Sequence, residues 1–475
     1  MRGVVAAAVA FSALVFAASA QAGGPHMLVG ATEDVVRQPT LAEARAKMAL
    51  VRFAGFDAIR LSQVWQPGQT SLSDAQLAPL QNAVEAAKLD GVTVLLTVTQ
   101  FGSRTTPLTD TDQADFATFA SWLAKQLPYV QRYIVSNEPN LNRFWLPQFG
   151  SDGSDVAAPA YESLLAKTYD ALKAVDPKLQ VLGGALAPRG VDEPNTGRDT
   201  HSPTAFIRDL GAAYRASGRT TPIMDALAMH PYEDNSSVAP ISGVHPNTTP
   251  IAIADYGKLV SLLQEAFGGT AQAGASLPIY YDEFGVESDI PPAEAGLYTG
   301  TEPSTIHPVD EQTQAAYYKQ ALQLAFCQPT VHGISLFHAF DEQARAGWQS
   351  GVYYVSGTPK ASLAPTKAAI QQVARGVVAQ CPGMHLRPVM TVAGGRFAPV
   401  LRCDLDCRYV GHLVRLPGTI VRTATGTAIG ALPKTVRFSS ARLRPGRYQV
   451  RFLARATLNP APQQSGAHGA PFPVP

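Results

Sequence analysis

Two glutamates carry the chemistry legible in this sequence. Glu138 stands in Tyr133-Ile134-Val135-Ser136-Asn137-Glu138-Pro139-Asn140, where three residues that read as a short buried strand are followed at once by polar groups. Glu283 stands in Tyr280-Tyr281-Asp282-Glu283-Phe284-Gly285, directly after Leu277-Pro278-Ile279. Two carboxyl groups facing each other across a cleft suit acetal hydrolysis. One must be protonated to release the leaving oxygen, and the other must be ionised to attack or to activate water. Glu138 is expected as the acid and then the base, Glu283 as the nucleophile, at the roughly 5 to 5.5 Å separation that goes with retention of configuration.

Such a pair needs a frame that brings two distant strand ends together. The chain alternates strand and helix patterns throughout. Strands are expected at 26–31, 57–61, 92–98, 132–136, 179–182, 223–229, 277–281 and 331–337. Each is followed by a helical period, at 40–53, 73–89, 112–127, 159–175, 203–217, 255–267, 310–326 and 361–378. Within the second helical segment Pro79 is expected to delay the regular part until the proline itself. Eight strand-then-helix units are what a (β/α)8 TIM barrel requires. The competitor, a doubly wound open sheet, lacks a Gly-rich phosphate loop after its first strand.

Function in such a barrel sits at the carboxyl ends of the strands. Those ends carry Arg60, Gln100 and Phe101, Asn137 and Glu138, His230 and Tyr232, Glu283, and His338. Together they are expected to ring one cleft. Asp282, one residue before Glu283, is expected to point to the opposite side of its strand by the two-residue period and to support the barrel wall.

Asn137-Glu138-Pro139 on strand four with Glu283 on strand seven resembles clan A of the retaining glycoside hydrolases, nearest to families 5 and 39, over about Met27 to Val378. The resemblance implies a (β/α)8 catalytic domain and further roles. Arg60 is similar to the clan's strand-two arginine that keeps the nucleophile ionised. Asn137 is similar to the asparagine that holds the sugar 2-hydroxyl, and His230-Pro231-Tyr232 to the strand-six His-x-Tyr whose tyrosine donates to the nucleophile. Two positions depart from it: Gln100 stands where many family 5 members have a histidine, and Phe337-His338 where the clan often has a tryptophan. The sugar is therefore left open, as a plant or microbial glycan or glycoside.

Each assignment has a plainer counterpart. The two glutamates could be polar strand ends in structural ion pairs, and Arg60 a structural counter-ion. His230 reads equally as a satisfied wall residue or a sugar contact. A metal centre of His230, Asp282 and Glu283 lacks a comparable ligand pair, so no metal and no cofactor are expected. Trp65, Trp145 and Trp348 fall in loops on the cleft side, as stacking platforms for sugar faces or as barrel caps. Phe144-Trp145 is the favoured platform for the leaving group. Pro-, Gly- and polar-rich insertions at 189–202, 233–249 and 286–305 are expected to narrow the groove, favouring exo action or disaccharide release. Two rivals remain: a transglycosidase on the same residues, and a non-catalytic carbohydrate- or cell-wall-binding barrel.

Length and composition fit this frame. The 475 residues are 46% hydrophobic and 16% charged, enough for a large domain and a smaller one. Met1-Arg2, the apolar run Val4 to Ala20 and Ala18-Ser19-Ala20-Gln21-Ala22 read as a secretory signal peptide over 1–22, so export and a soluble, non-membrane protein are expected. Four cysteines in an exported chain favour disulfides; Cys403 with Cys407 and Cys327 with Cys381 is one of three possible pairings.

The net charge of +1 conceals a division. From Met384 onward 13 Lys or Arg face Asp404 and Asp406 alone, leaving 25 basic and 35 acidic residues before it. A catalytic domain over 24–382, a small β-sandwich over 384–458 with Arg on its polar face, and a disordered tail over 459–475 are expected. The basic domain suits an anionic polysaccharide or cell-wall polymer, or is a solubilising face. Nucleic acid is not expected, because no recognition motif accompanies the charge.

Overall fold

The computed structural model describes residues 24–376, 378, 388–391, 395–403, 407–428, 432–456 and 464–475. The expected signal segment, the expected domain boundary near 382 and Cys381 lie outside them.

Eight parallel strands close on themselves. They are β1 (Leu28–Thr32), β2 (Ala58–Trp65), β3 (Thr93–Gln100), β4 (Arg132–Val135), β5 (Gln180–Leu186), β6 (Ala226–Met229), β7 (Ile279–Phe284) and β8 (Val331–Leu336). Each pairs with the next, and β8 pairs back onto β1 with Val29 opposite Ile334. The helices that follow them in turn are α1 (Leu41–Phe53), α2 (Asp74–Leu89), α3 (Asp110–Gln126), α4 (Ala157–Val175), α5 (Pro203–Ala216), α6 (Tyr256–Phe267), α7 (Glu311–Phe326) and α8 (Leu363–Ala374). This is the expected (β/α)8 barrel.

Alternation along the strands divides the apolar residues between two cores. Ala58, Leu95, Ile134, Leu182, Ala226, Ala228 and Tyr280 fill the barrel interior. Their neighbours, among them Ile59, Leu96, Tyr133, Val181, Leu227 and Tyr281, pack outward against the helices. A strand buried on both faces has little room for polar residues except at its ends, and the ends are where they collect.

The helices start where local chemistry allows. Thr40 caps α1 by accepting from the Glu43 N–H, and Ser202 caps α5 with Pro203 in the first turn. The expected delay in α2 does not occur. Ser73 and Gln76 close a capping box that starts the helix at Asp74, so Pro79 lies inside it.

Beyond the barrel, β9 (Val389–Thr391), β10 (Val400–Arg402) and β13 (Pro433–Thr435) form one antiparallel sheet. The strands β11 (Cys407–Arg415), β12 (Thr419–Ala428), β14 (Gly446–Ala456), β15 (Gln464–His468) and β16 (Phe472–Val474) form another. Leu401, Tyr409, Leu413, Val436, Phe438, Val450 and Phe452 join the two sheets in a common core. The expectation of a disordered tail is corrected here: residues 464–468 and 472–474 pair with β14. Pro and Gly in that stretch masked edge strands, where a missing N–H is tolerated. Cys403 and Cys407 are joined as expected. Cys327 is also disulfide-bonded, with its expected partner outside the described residues.

Candidate active site

The barrel alone does not explain how two consecutive residues of β7 both reach its mouth. Tyr280 points inward and Tyr281 outward, so strict alternation would send Asp282 in and Glu283 out. The β7–β8 register shifts between Tyr281 and Phe284, and Phe284 is again on the outer face. The extra residue of this bulge turns Asp282 and Glu283 to the same side, correcting the expected opposite orientation. Asp282 Oδ2 lies 3.1 Å from Arg60 Nε and 3.3 Å from His230 Nε2.

Arg60, wholly buried as the third residue of β2, organises the nucleophile side. It donates through Nη1 to Glu283 Oε1, through Nε to Thr97 Oγ1 at 2.8 Å, and through Nη2 to Asn137 Oδ1 at 2.8 Å. Burial alone would lower the guanidinium pKa, but the Asp282 and Glu283 charges outweigh it and raise the pKa above its ordinary value. Tyr232 donates to the other oxygen, Glu283 Oε2, at 2.9 Å.

Glu138 is presented by an unusual backbone. Ser136 and Glu138 have φ of 68° and 43°, a left-handed conformation that costs a non-glycine residue roughly 1–2 kcal/mol. Its compensation comes from β5, where Ala185 O accepts the Glu138 N–H at 2.9 Å. Gly184, at φ 96°, makes that irregular turn possible; a Cβ there would come within 2.8 Å of Ala228 O.

His230 joins the two halves. Its Nδ1 is 2.9 Å from Glu138 Oε1 and 3.4 Å from Glu283 Oε2, and its Nε2 faces Asp282. Burial disfavours the charged ring, but Glu283 and Asp282, with hydrogen bonds to Asp282 and Glu138, outweigh burial and hold its pKa up to about 10. The ring is 0% exposed, against 14% for the Glu138 side chain and 10% for Glu283. His230 therefore touches carboxylates and does not line the cleft, which corrects its reading as a sugar contact.

One donor atom from each of Glu138, His230 and Glu283 lies within 4.8 Å of the other two. A cation there would compete with the Arg60 guanidinium for Glu283 and with a ring that already carries positive charge, so the donor set fits proton chemistry better than a metal.

Each member of this pair lines a different cavity. The larger, about 960 Å³, is lined by Arg60, Gln100, Phe101, Asn137, Phe144, Glu283 and His338 among others. The smaller, about 380 Å³, is lined by Glu138, Tyr232 and Trp348 with loops from the β5, β6 and β7 ends. Gln100 reaches the larger cavity, but its amide donates to Phe144 O at 2.7 Å and accepts from Ser136 Oγ at 2.9 Å. His338 Nδ1 donates to Thr32 O at 2.6 Å.

The tryptophans divide differently from their reading. Trp65 and Trp145 are wholly buried, Trp65 donating to Gln69 O and packing on Phe116, Trp145 packing edge-on against Tyr161. Neither is a platform, and Phe144 lines the larger cavity and not the smaller one that Glu138 lines. Trp348 does line a cavity, with its indole stacked on Tyr232 at 4.8 Å.

Sequence reasoning passed over Glu33, directly after β1. It accepts from the Val35 and Phe340 N–H groups at the wall of the larger cavity, and burial raises its pKa against the lowering effect of His338. The end of β1 offered the same signal as the other strand ends. Phe101, 70% exposed at the larger rim, was read from its strand end.

No protein-family model matches the chain, and no curated protein matches it. Solved structures do. A glucosidase from Croceicoccus marinus aligns at TM-score 0.51 and 11% identity, over 88% of this chain and 95% of that one. A GH39 β-xylosidase from Caulobacter crescentus aligns at 0.47 and 16%, over 82% and 84%. A β-glucuronidase from Bacteroides uniformis aligns at 0.44 and 12%, over 94% of this chain and 45% of that one, so this chain spans less than half its length. At these identities the likeness is one of fold, and the Croceicoccus glucosidase carries it.

Proposed function

We propose that this protein is a retaining β-glycosidase that is exported from the cell. The observation that carries the reading is the approach of Glu138 and Glu283 carboxylate oxygens to within 4.8 Å of each other, with each carboxylate lining its own cavity. An approach of 4.8 Å or less falls short of the roughly 6.5 to 9.5 Å that leaves room for water in inverting enzymes, which favours the closer arrangement, roughly 5 to 5.5 Å, of retaining ones.

In the first step a Glu283 oxygen attacks the anomeric carbon, the glycosidic C–O bond breaks, and Glu138 gives its proton to the departing oxygen. His230 Nδ1 donates to Glu138 Oε1, which leaves Oε2 as the oxygen that carries the acid's proton. In the second step the Glu138 carboxylate takes a proton from water, the water oxygen bonds to the anomeric carbon, and Glu283 is released. Arg60 and Tyr232 stabilise Glu283 whenever it is anionic. Asn137, its Oδ1 occupied by Arg60, has its amide N–H groups left for the sugar 2-hydroxyl.

The sugar that bonds to Glu283 occupies the larger cavity. A volume near the upper end of the roughly 300–1,000 Å³ of ligand pockets supports exo action that releases more than one ring at a time. The basic sheet of the C-terminal region is proposed to hold an anionic polysaccharide or cell-wall polymer.

The test is a screen of purified protein against nitrophenyl β-glycosides and disaccharide glycosides, with Glu283→Gln alongside and a 2-fluoro glycoside as a label. Turnover lost in the variant, with the label on Glu283, is expected. Turnover that survives Glu283→Gln would sink the reading.

A further inference from the structure

The smaller cavity begins at Glu138, so in the reaction above it faces the departing group. Leu141, Pro188, Val238, Val286, Ile306 and Trp348 contribute its apolar wall. Several of the polar groups among them are already engaged, although Arg189 Nε has no hydrogen-bond partner. Arg189 donates to the backbone carbonyls of Glu233 and Asp234. Ser236 Oγ accepts the Glu287 N–H at 2.9 Å, and Asn235 Oδ1 accepts from Ser237 N–H and Oγ–H at 2.9 and 2.7 Å.

Two of the acids of this wall are withdrawn as well, while Asp234 is over half exposed and paired with Arg189 at 3.7 Å and His245 at 3.4 Å. Both Glu233 carboxyl oxygens are buried, one of them packed where a Cβ on Gly243 would stand. Glu287 is buried and accepts the Gln349 N–H. Burial, with nearby acids, raises Glu233 to about 9 and Glu287 to about 8, which favours the neutral form of both.

A second sugar in this space would bring several hydroxyls to a wall with few free partners, at roughly 1–3 kcal/mol for each one left unpaired. An apolar ring forfeits nothing there and gains about 25 cal/mol per Å² buried. Trp348, held by its stacking on Tyr232, adds its indole to that apolar wall. We infer that the smaller cavity takes an apolar, ring-bearing alcohol, the leaving group of an aryl or arylalkyl glycoside. Its role as a leaving-group site rests on the glycosidase reading; the binding does not.

Two measurements on the full chain keep those apart. Calorimetry with 2-naphthol should show one saturable site, weakened at least ten-fold in Trp348→Ala and unchanged in Phe144→Ala, which alters the larger cavity. With the glycone that the screen identifies, kcat/KM for the benzyl glycoside should exceed that for a disaccharide by at least ten-fold. Benzyl alcohol is no better a leaving group than a sugar hydroxyl, so that preference would come from the cavity. Absence of naphthol binding, binding indifferent to Trp348, or equal rates on the two substrates overturns the inference. Naphthol bound at Trp348 by a protein that hydrolyses no glycoside supports the site and refutes the glycosidase reading.

Discussion

His230 Nδ1 lies 2.9 Å from Glu138 Oε1, and no solvent reaches the ring that joins this acid to Asp282 on the far side. The pair ties stability to pH. The folded pKa of His230, about 10, stands above the roughly 6.5 of an unfolded histidine, so its contribution is complete below about 6.5 and is lost as pH rises through about 10. The wild-type Tm should exceed that of His230→Gln by several degrees near pH 6, and the gap should close toward pH 10. A gap constant across that range would place the proton elsewhere.

Glu138 should matter in proportion to how badly the leaving group needs a proton. Glu138→Ala is expected to cost on the order of 10²–10⁴ in kcat for benzyl or sugar leaving groups and much less for dinitrophenyl ones, with azide restoring turnover as a glycosyl azide. Steady-state kinetics over a leaving-group series decides the matter. An equal loss throughout, without azide rescue, removes Glu138 from the acid role.

Glu138, Glu283, Arg60 and Tyr232 could be grouped from the sequence because each lies in or within three residues of a strand pattern, and strand ends in a barrel converge whatever the loops do. Asp282 was misplaced because a bulge is a local break of the two-residue period, and nothing in Tyr281-Asp282-Glu283-Phe284 announces one. The destinies of Trp65 and Trp145 were hidden for another reason. A loop tryptophan is equally suited to cover Phe116 or Tyr161 as to meet a sugar, and only packing decides. Residues 464–474 were misread because Pro and Gly count against strands in general but not against edge strands held by a long partner such as β14.

Burial of Trp65 and Trp145 makes a sharp separation of stability from substrate recognition. Replacing either by Ala should cost roughly 3–5 kcal/mol, and the milder Trp145→Phe should lower Tm while leaving KM within two-fold. Chemical denaturation beside kinetics on the same samples checks this. A several-fold rise in KM for Trp145→Phe with Tm unchanged would restore the platform reading.

The C-terminal sheet sets like charges against each other. Arg408 lies directly opposite Arg455, and Arg451 is flanked by His412 and His468, while Tyr448, Val450, Phe452 and Ala454 of the same strand face the core. Opposed like charges on neighbouring strands destabilise a sheet, so a face that keeps them gains something other than stability. Replacing Arg408, Arg451 and Arg455 together with Ser should leave Tm unchanged or raised and small-substrate kcat/KM intact. Salt-sensitive retention on an anionic polymer such as polygalacturonate should fall at least ten-fold, because each lost cation removes a screened attraction. Retention that survives the triple replacement, or that is indifferent to salt in the wild type, would leave the arginines as a solubilising surface.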